Sequence, residues 1–117
     1  MKHHNKTRNF GRPTNQRTAL MRSLARSLVK EEAIVTTVAK AKELRPYIEK
    51  MVTTAKKNTV ASRRLLAARL GNDDETVAKL HATIAPRYEK RAGGYTRITK
   101  LGTATNVAHD EARIEFV

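Results

Sequence analysis

The chain of 117 residues has no cysteine and no tryptophan. Without thiols there can be no disulfide framework and no thiolate zinc site, which fits a reducing cytoplasm. Aromatic residues are few: Phe10, Tyr47, Tyr88, Tyr95 and Phe116 are all there are, and most stand at expected core positions. Proteins that grip single strands need an aromatic stacking platform, so a structured polyanion read through backbone and shape is the better match. No apolar run approaches the roughly 20 residues that cross a bilayer, and no apolar segment follows the basic N-terminus as in an export signal. No membrane role is expected.

Catalytic and cofactor signatures are missing too. The Gly93–Gly94 pair lies outside any G-x-x-x-x-G-K-[ST] phosphate loop. His3 and His4 are adjacent, which is not the spacing of a chelating helical pair, so no metal is expected there. His109, Asp110 and Glu111 fall in a polar stretch with no nucleophile motif, so no enzyme, no cofactor and no small-molecule substrate are expected.

The most consequential absence is of acid. No Asp or Glu precedes Glu31, while residues 1–30 carry Lys2, Lys6, Arg8, Arg12, Arg17, Arg22, Arg26 and Lys30, a local charge of +8. Residues 31–70 hold nine bases and four acids and residues 71–117 seven of each, so the whole net charge of +13 lies in the first two thirds. A segment without internal counterions repels itself until a polyanion neutralises it, and the natural polyanion is a phosphate backbone. The chain is polarised, with a basic end for nucleic acid and a neutral end for water or protein.

Residues 1–13 have no apolar periodicity and are punctuated by Gly11 and Pro13, so they read as an irregular basic arm that could reach roughly 40 Å when extended. Residues 14–117 read as one globular domain. A helix is expected from Thr14 or Asn15, with Leu20, Leu24 and Leu28 on one stripe and Arg22, Arg26 and Lys30 on a ridge roughly 200° away. Ala33 to Thr37 is β-branched and reads as a strand, after which Thr37 can cap a long helix that turns Ala41, Leu44, Ile48, Met51, Val52 and Ala55 inward. Pro46 lies inside that helix and predicts a local kink, since it removes one hydrogen bond at a cost of about 3 kcal/mol. Residues 60–70 predict a third helix stopped by Gly71; Asp73 caps a fourth that buries Val77, Leu80, Ile84 and Tyr88. Strands over Tyr95–Leu101 and Ala112–Val117 should pair antiparallel, joined by an exposed, mobile loop at 102–110. The fold class is therefore α+β: about four helices with a small mixed sheet of about three strands, behind an irregular basic N-terminal arm.

Two motifs could hold phosphate. Thr37, Lys40 and Lys42 surround one helix N-terminus with a hydroxyl, backbone donors and two cations, although an ordinary capped helix reads the same way. In RAGGYTRI, residues 91–98, the glycines would let a backbone approach closely while Arg91, Tyr95 and Arg97 offer forked cations and a stacking ring; a purely structural turn reads equally well. The candidate phosphate contacts are thus Lys2, His3, Lys6, Arg8 and Arg12 on the arm, Arg17, Arg22 and Arg26 on the first helix, and Lys40, Lys42, Arg91, Tyr95 and Arg97 beyond it.

The register of these segments resembles the L17 family of the bacterial large ribosomal subunit over the whole chain. The resemblance is carried by TTVAKAKELR (36–45), ASRRL (61–65) and PRYEKRAGGYTRI (86–98), with ALMR (19–22) and SLV (27–29) in register. Thr7, Pro13 and Gln16 depart from the family's usual residues, and the loop near 105–110 lacks its common basic and glycine residues. The resemblance implies a structural, rRNA-binding constituent of the cytoplasmic ribosome near the peptide exit tunnel, with the arm threaded between RNA helices and other ribosomal proteins as neighbours. Charge alone leaves a DNA-binding architectural or regulatory protein as the alternative.

Overall fold

A computed structural model of the chain describes residues 14–103 and 109–117. The arm and most of the loop expected at 102–110 lie outside those residues. Helix α1 (Thr14–Glu31) leads into strand β1 (Ala33–Thr37) through Glu32, whose φ of 65° turns the chain sharply. Thr37 then leaves the strand and caps α2 (Val38–Lys56): its hydroxyl accepts the amide of Lys40 at 3.2 Å. One residue thus ends a strand and starts a helix, as its extended backbone and short hydroxyl side chain allow.

The six apolar positions expected to face inward on α2 are all buried. Pro46 does not interrupt the helix, which stays continuous from Val38 to Lys56. Pro46 is exposed, and Leu44 and Ile48 are anchored in the core on either side of it, so packing offsets the missing hydrogen bond. Helix α3 (Val60–Arg69) opens with a reciprocal capping box between Thr59 and Ser62 and ends at Gly71, whose φ is +68°. The amide of Asn72 then returns to the carbonyl of Ala67 at 2.7 Å.

Asp73 caps α4 (Asp74–Lys79) by accepting the amide of Thr76 at 3.2 Å. The helix continues as a π-helical turn (Leu80–Ile84) and a last short helix, α5 (Ala85–Arg87). Pro86 has no N–H to offer an α-helical ladder, and the chain widens just before it so that the Ala85 amide reaches the Leu80 carbonyl five residues back. Val77, Leu80, Ile84 and Tyr88 remain on the buried side throughout.

Strands β2 (Thr96–Thr103) and β3 (Asp110–Phe116) complete a three-stranded sheet of order β1-β3-β2. Both pairings are antiparallel, so the mixed sheet expected from sequence is not formed: the C-terminal strand runs between the other two, opposed to each. Ala112 and Ile114 face the helices and are fully buried, with Phe116 packed at the margin. The α+β class stands, with helices on one face of the sheet.

On α1 the buried residues are Ala25, Leu28 and Val29; Leu24 is half-buried against the core, and Leu20 is only half-buried. The docking face is therefore rotated from the expected leucine stripe toward the side that carries Arg22 and Arg26. Both arginines are half-buried instead of forming a ridge opposite the core. Stem methylenes of arginine can cover apolar surface while the charged head reaches outward, which makes such a position tolerable.

Candidate nucleic-acid interface

The structure sorts the candidate contacts by what holds them. Lys2, His3, Lys6, Arg8 and Arg12 lie outside the described residues. Arg17, Arg22 and Arg26 are half-buried along α1, Lys42 is exposed on the first turns of α2, and Lys40 is half-buried at its start. The Thr37 hydroxyl is occupied as the helix cap.

The RAGGYTRI segment is mostly absorbed by architecture. Tyr95 is 1% exposed, so it is no stacking surface for a base, contrary to the sequence expectation. Its ring packs 5.1 Å from that of Tyr88, and its hydroxyl meets Thr53 at 3.1 Å and Lys56 Nζ at 3.2 Å. The glycine turn is clamped by Glu49, whose carboxylate accepts the amides of Gly94 and Thr96, both at 3.3 Å, and the Thr96 hydroxyl at 2.8 Å. Arg91 folds back, donating to the Gly94 carbonyl at 3.2 Å and lying 5.8 Å from the centre of the Tyr88 ring. Arg97 faces outward from the sheet but is bound to Glu115 at 2.8 Å. Glu115 is also held by Arg113, and hydrogen bonds from Arg97 and then Arg113 keep its carboxyl below the usual range. The structural reading of this motif therefore prevails for Tyr95 and the glycines.

A different basic surface forms where α1, α2 and α3 meet. Arg22 Nε donates to the carbonyl of Arg69 at 3.2 Å, and the Tyr47 hydroxyl donates to the same oxygen at 3.2 Å. Burial pushes the Tyr47 phenol up, opposed by the positive charges of Arg22 and Arg69 acting on it. Further along α3, Arg63 and Arg64 are exposed, with Arg63 hydrogen-bonded to the Asn58 side chain at 3.0 Å. Among the described residues, the ion pairs use Arg45, Lys79, Arg87, Arg97 and Arg113 as cations, and none of the α3 arginines. Arg63, Arg64 and Arg69 were not singled out from the sequence. The available signal was three arginines on a helix of small residues that buries only Ser62 and Leu66.

Arg63 and Arg64 also line a cavity of about 660 Å³ between α3 and the α4 segment, which His81 enters. His81 Nε2 stands 3.4 Å from Ser62 Oγ, but that hydroxyl is committed to Thr59, and His81 Nδ1 faces the Val77 carbonyl, not a carboxylate. This is a capped helix start and lacks the orienting third group of a nucleophilic triad. No described group of three or more His, Cys, Asp or Glu residues could hold a metal ion. No helix among the described residues is long and apolar enough to cross a membrane.

Comparison with known proteins identifies the family of this basic chain. The family model described as ribosomal protein L17 matches residues 20–117. The chain belongs to that family. It is 50% identical to the large ribosomal subunit protein bL17 of Sphingopyxis alaskensis over 117 residues, all of this chain and 84% of the relative. It is 55% identical to the protein of the same name from Persephonella marina over 101 residues, 86% of this chain and 82% of the relative. With the one from Trichlorobacter lovleyi it shares 47% identity over 117 residues, all of this chain and 94% of the relative. Membership makes this L17 chain a ribosomal protein, a structural constituent and not an enzyme.

Proposed function

We propose that this L17 protein binds and stabilises folded large-subunit rRNA through its basic N-terminal arm and first helix, near the peptide exit tunnel. Neighbouring ribosomal proteins contact its other surfaces. The observation that carries the reading is the charge distribution: every unit of the +13 net charge arises before residue 71, beginning with thirty residues that lack any acid. Lys2, His3, Lys6, Arg8 and Arg12 neutralise phosphates where RNA helices converge, and Arg17, Arg22 and Arg26 extend the contact along α1. Lys40, Lys42 and Arg91 are secondary contacts at the margin of that surface. The exit-tunnel position is supported by the family resemblance.

Eight phosphate contacts on structured RNA correspond to a slope of about −6 to −7 in log K against log salt. The test is to delete residues 2–13 and measure binding to large-subunit rRNA across a salt series. A flatter slope and weaker binding are expected; unchanged affinity at moderate salt overturns the role of the arm. Competition with duplex DNA is the companion measurement, because a preference for DNA supports an architectural DNA-binding protein instead. Co-sedimentation of the chain with the large subunit on a sucrose gradient tests the assembly itself.

A further inference from the structure

We propose that the cavity between α3 and the α4 segment takes one unstacked nucleotide of the RNA, with its base on the apolar lining beside His81 and its phosphate on Arg64. The inference rests on the RNA-binding reading and adds to it a site built by the fold. It involves Arg64 and His81, neither of which is among the contacts expected from the sequence.

The cavity holds about 660 Å³, within the roughly 300–1,000 Å³ of small-ligand pockets. Val60 and Ala67 on the α3 wall and Ala78 and Ala82 on the other give it an apolar lining of mostly small side chains. Val60 is 65% exposed, so the described residues leave this apolar surface uncovered. A nucleobase suits such a slot, because its faces are apolar and its edge is polar. The phosphate end is equally well defined. Arg63 and Arg64 line the same cavity; Arg63 is hydrogen-bonded only to the neutral Asn58 side chain, and Arg64 has no hydrogen bond or ion pair among the described residues. A guanidinium without a carboxylate at the mouth of an apolar slot is completed by a phosphate, to which it donates in parallel.

His81 supplies the contact for the base edge. Its Nδ1 stands 3.1 Å from the Val77 carbonyl, an acceptor, so in the neutral ring Nδ1 carries the hydrogen and Nε2 is left an acceptor. The polar atom beside Nε2 is Ser62 Oγ at 3.4 Å, whose own hydrogen goes to the Thr59 carbonyl at 2.9 Å. Nε2 therefore lacks a donor, and an N–H on the edge of a base provides one. The single carboxylate of the lining, Asp74, forms no ion pair with Arg63 or Arg64. It precedes His81 by seven residues, roughly 10 Å along the helix, and repels a second phosphate at that end. The cavity is thus suited to one nucleotide and not to a continuous strand.

The test uses the full chain. Ala78→Trp fills the cavity without changing charge and should weaken binding to large-subunit rRNA at an unaltered salt slope. Arg64→Gln should flatten that slope by about 0.7 to 0.9, the value of one phosphate contact. Thermal melts establish that each variant is folded. Base-specific chemical probing of the complexes should find one unpaired base that the wild type protects and Ala78→Trp leaves reactive. Guanosine 5′-monophosphate titrated into the wild type at constant pH should move the NMR signals of the His81 ring, the Ala78 amide and Arg64 Nε–H together, whereas inorganic phosphate should move Arg64 alone. Unchanged rRNA affinity and protection in Ala78→Trp, or a His81 ring indifferent to the nucleotide, overturns the pocket and leaves the arm's role standing. Full rRNA affinity in Ala78→Trp with lost co-sedimentation with the large subunit overturns it in favour of a protein occupant. Failure of the wild type itself to bind rRNA overturns the RNA-binding reading instead, and the nucleotide titration still decides whether the cavity takes a base.

Discussion

The side chain of Arg22 lies across the backbone of Gly71, reaching the carbonyl of Arg69 at 3.2 Å where a Cβ on the glycine would stand 3.0 Å from Arg22 Cδ. Gly71 therefore serves two ends, since its φ of +68° also terminates α3. Replacement by alanine incurs the left-handed backbone cost and the contact with Arg22 together. Gly71→Ala is expected to destabilise the domain by about 1–2 kcal/mol, checked by urea unfolding at constant m-value. An unchanged midpoint would show that α3 can end without a left-handed residue.

Tyr95 offers a contrast between a buried group and a contact group. Its hydroxyl is satisfied by Thr53 and Lys56 inside the structure, so Tyr95→Phe leaves those partners short of one hydrogen bond. The expected loss is about 1 kcal/mol of stability with rRNA affinity unchanged. Weakened binding without lost stability is the result that would restore Tyr95 to the interface.

The rotated docking face of α1 predicts unequal effects from two leucines. Leu28 is fully buried whereas Leu20 is half-buried and peripheral to the core. Leu28→Ala should cost about 2–5 kcal/mol, in the range for a buried large-to-small change. Leu20→Ala should cost about 1 kcal/mol or less. Equal losses in chemical unfolding would mean that the expected leucine stripe is the docking face after all.

Acid sensitivity should arise at carboxylates that hydrogen bonds hold ionised, Glu32 and Asp73 among them. Hydrogen bonding to Arg87, at 2.5 Å, holds Glu32 below its ordinary 4.5, and hydrogen bonding to Thr76 holds Asp73 below its ordinary 3.8. Both folded-state values are depressed, so their stabilisation is fully present above the ordinary carboxylate range and is lost as pH falls through the folded values. Melting temperature should therefore decline as pH is lowered from about 5 to 3. Asp73→Asn retains a good N-cap and should flatten part of that decline. A melting temperature as steep in pH for this variant as for the wild type would exclude Asp73 as a contributor.

Surface pairs on the sheet should matter little by comparison. The Arg97 side chain is 62% exposed beside Glu115, so Arg97→Gln is expected to change stability by less than about 1 kcal/mol. A larger loss, measured by thermal melts at low and high salt, would show that the Arg97–Glu115–Arg113 cluster acts as a network.

Much of the fold was legible because its signals are local. Thr37 and Asp73 cap helices through hydrogen bonds spanning three residues, Gly71 ends a helix by its own φ, and the inward face of α2 follows from a spacing that needs no knowledge of the other elements. The excess of positive charge and its confinement to residues 1–70 are likewise properties of the chain as written. What only the tertiary structure decided concerns residues far apart. It placed β3 between β1 and β2, rotated α1 toward Val29, buried Tyr95 under Lys56, and brought Arg69 to Arg22. Local hydrogen bonds and periodicity are fixed by neighbours within a turn, but the exposure of a cation or a ring is fixed by whatever packs against it. For Arg22 that neighbour is a glycine 49 residues away.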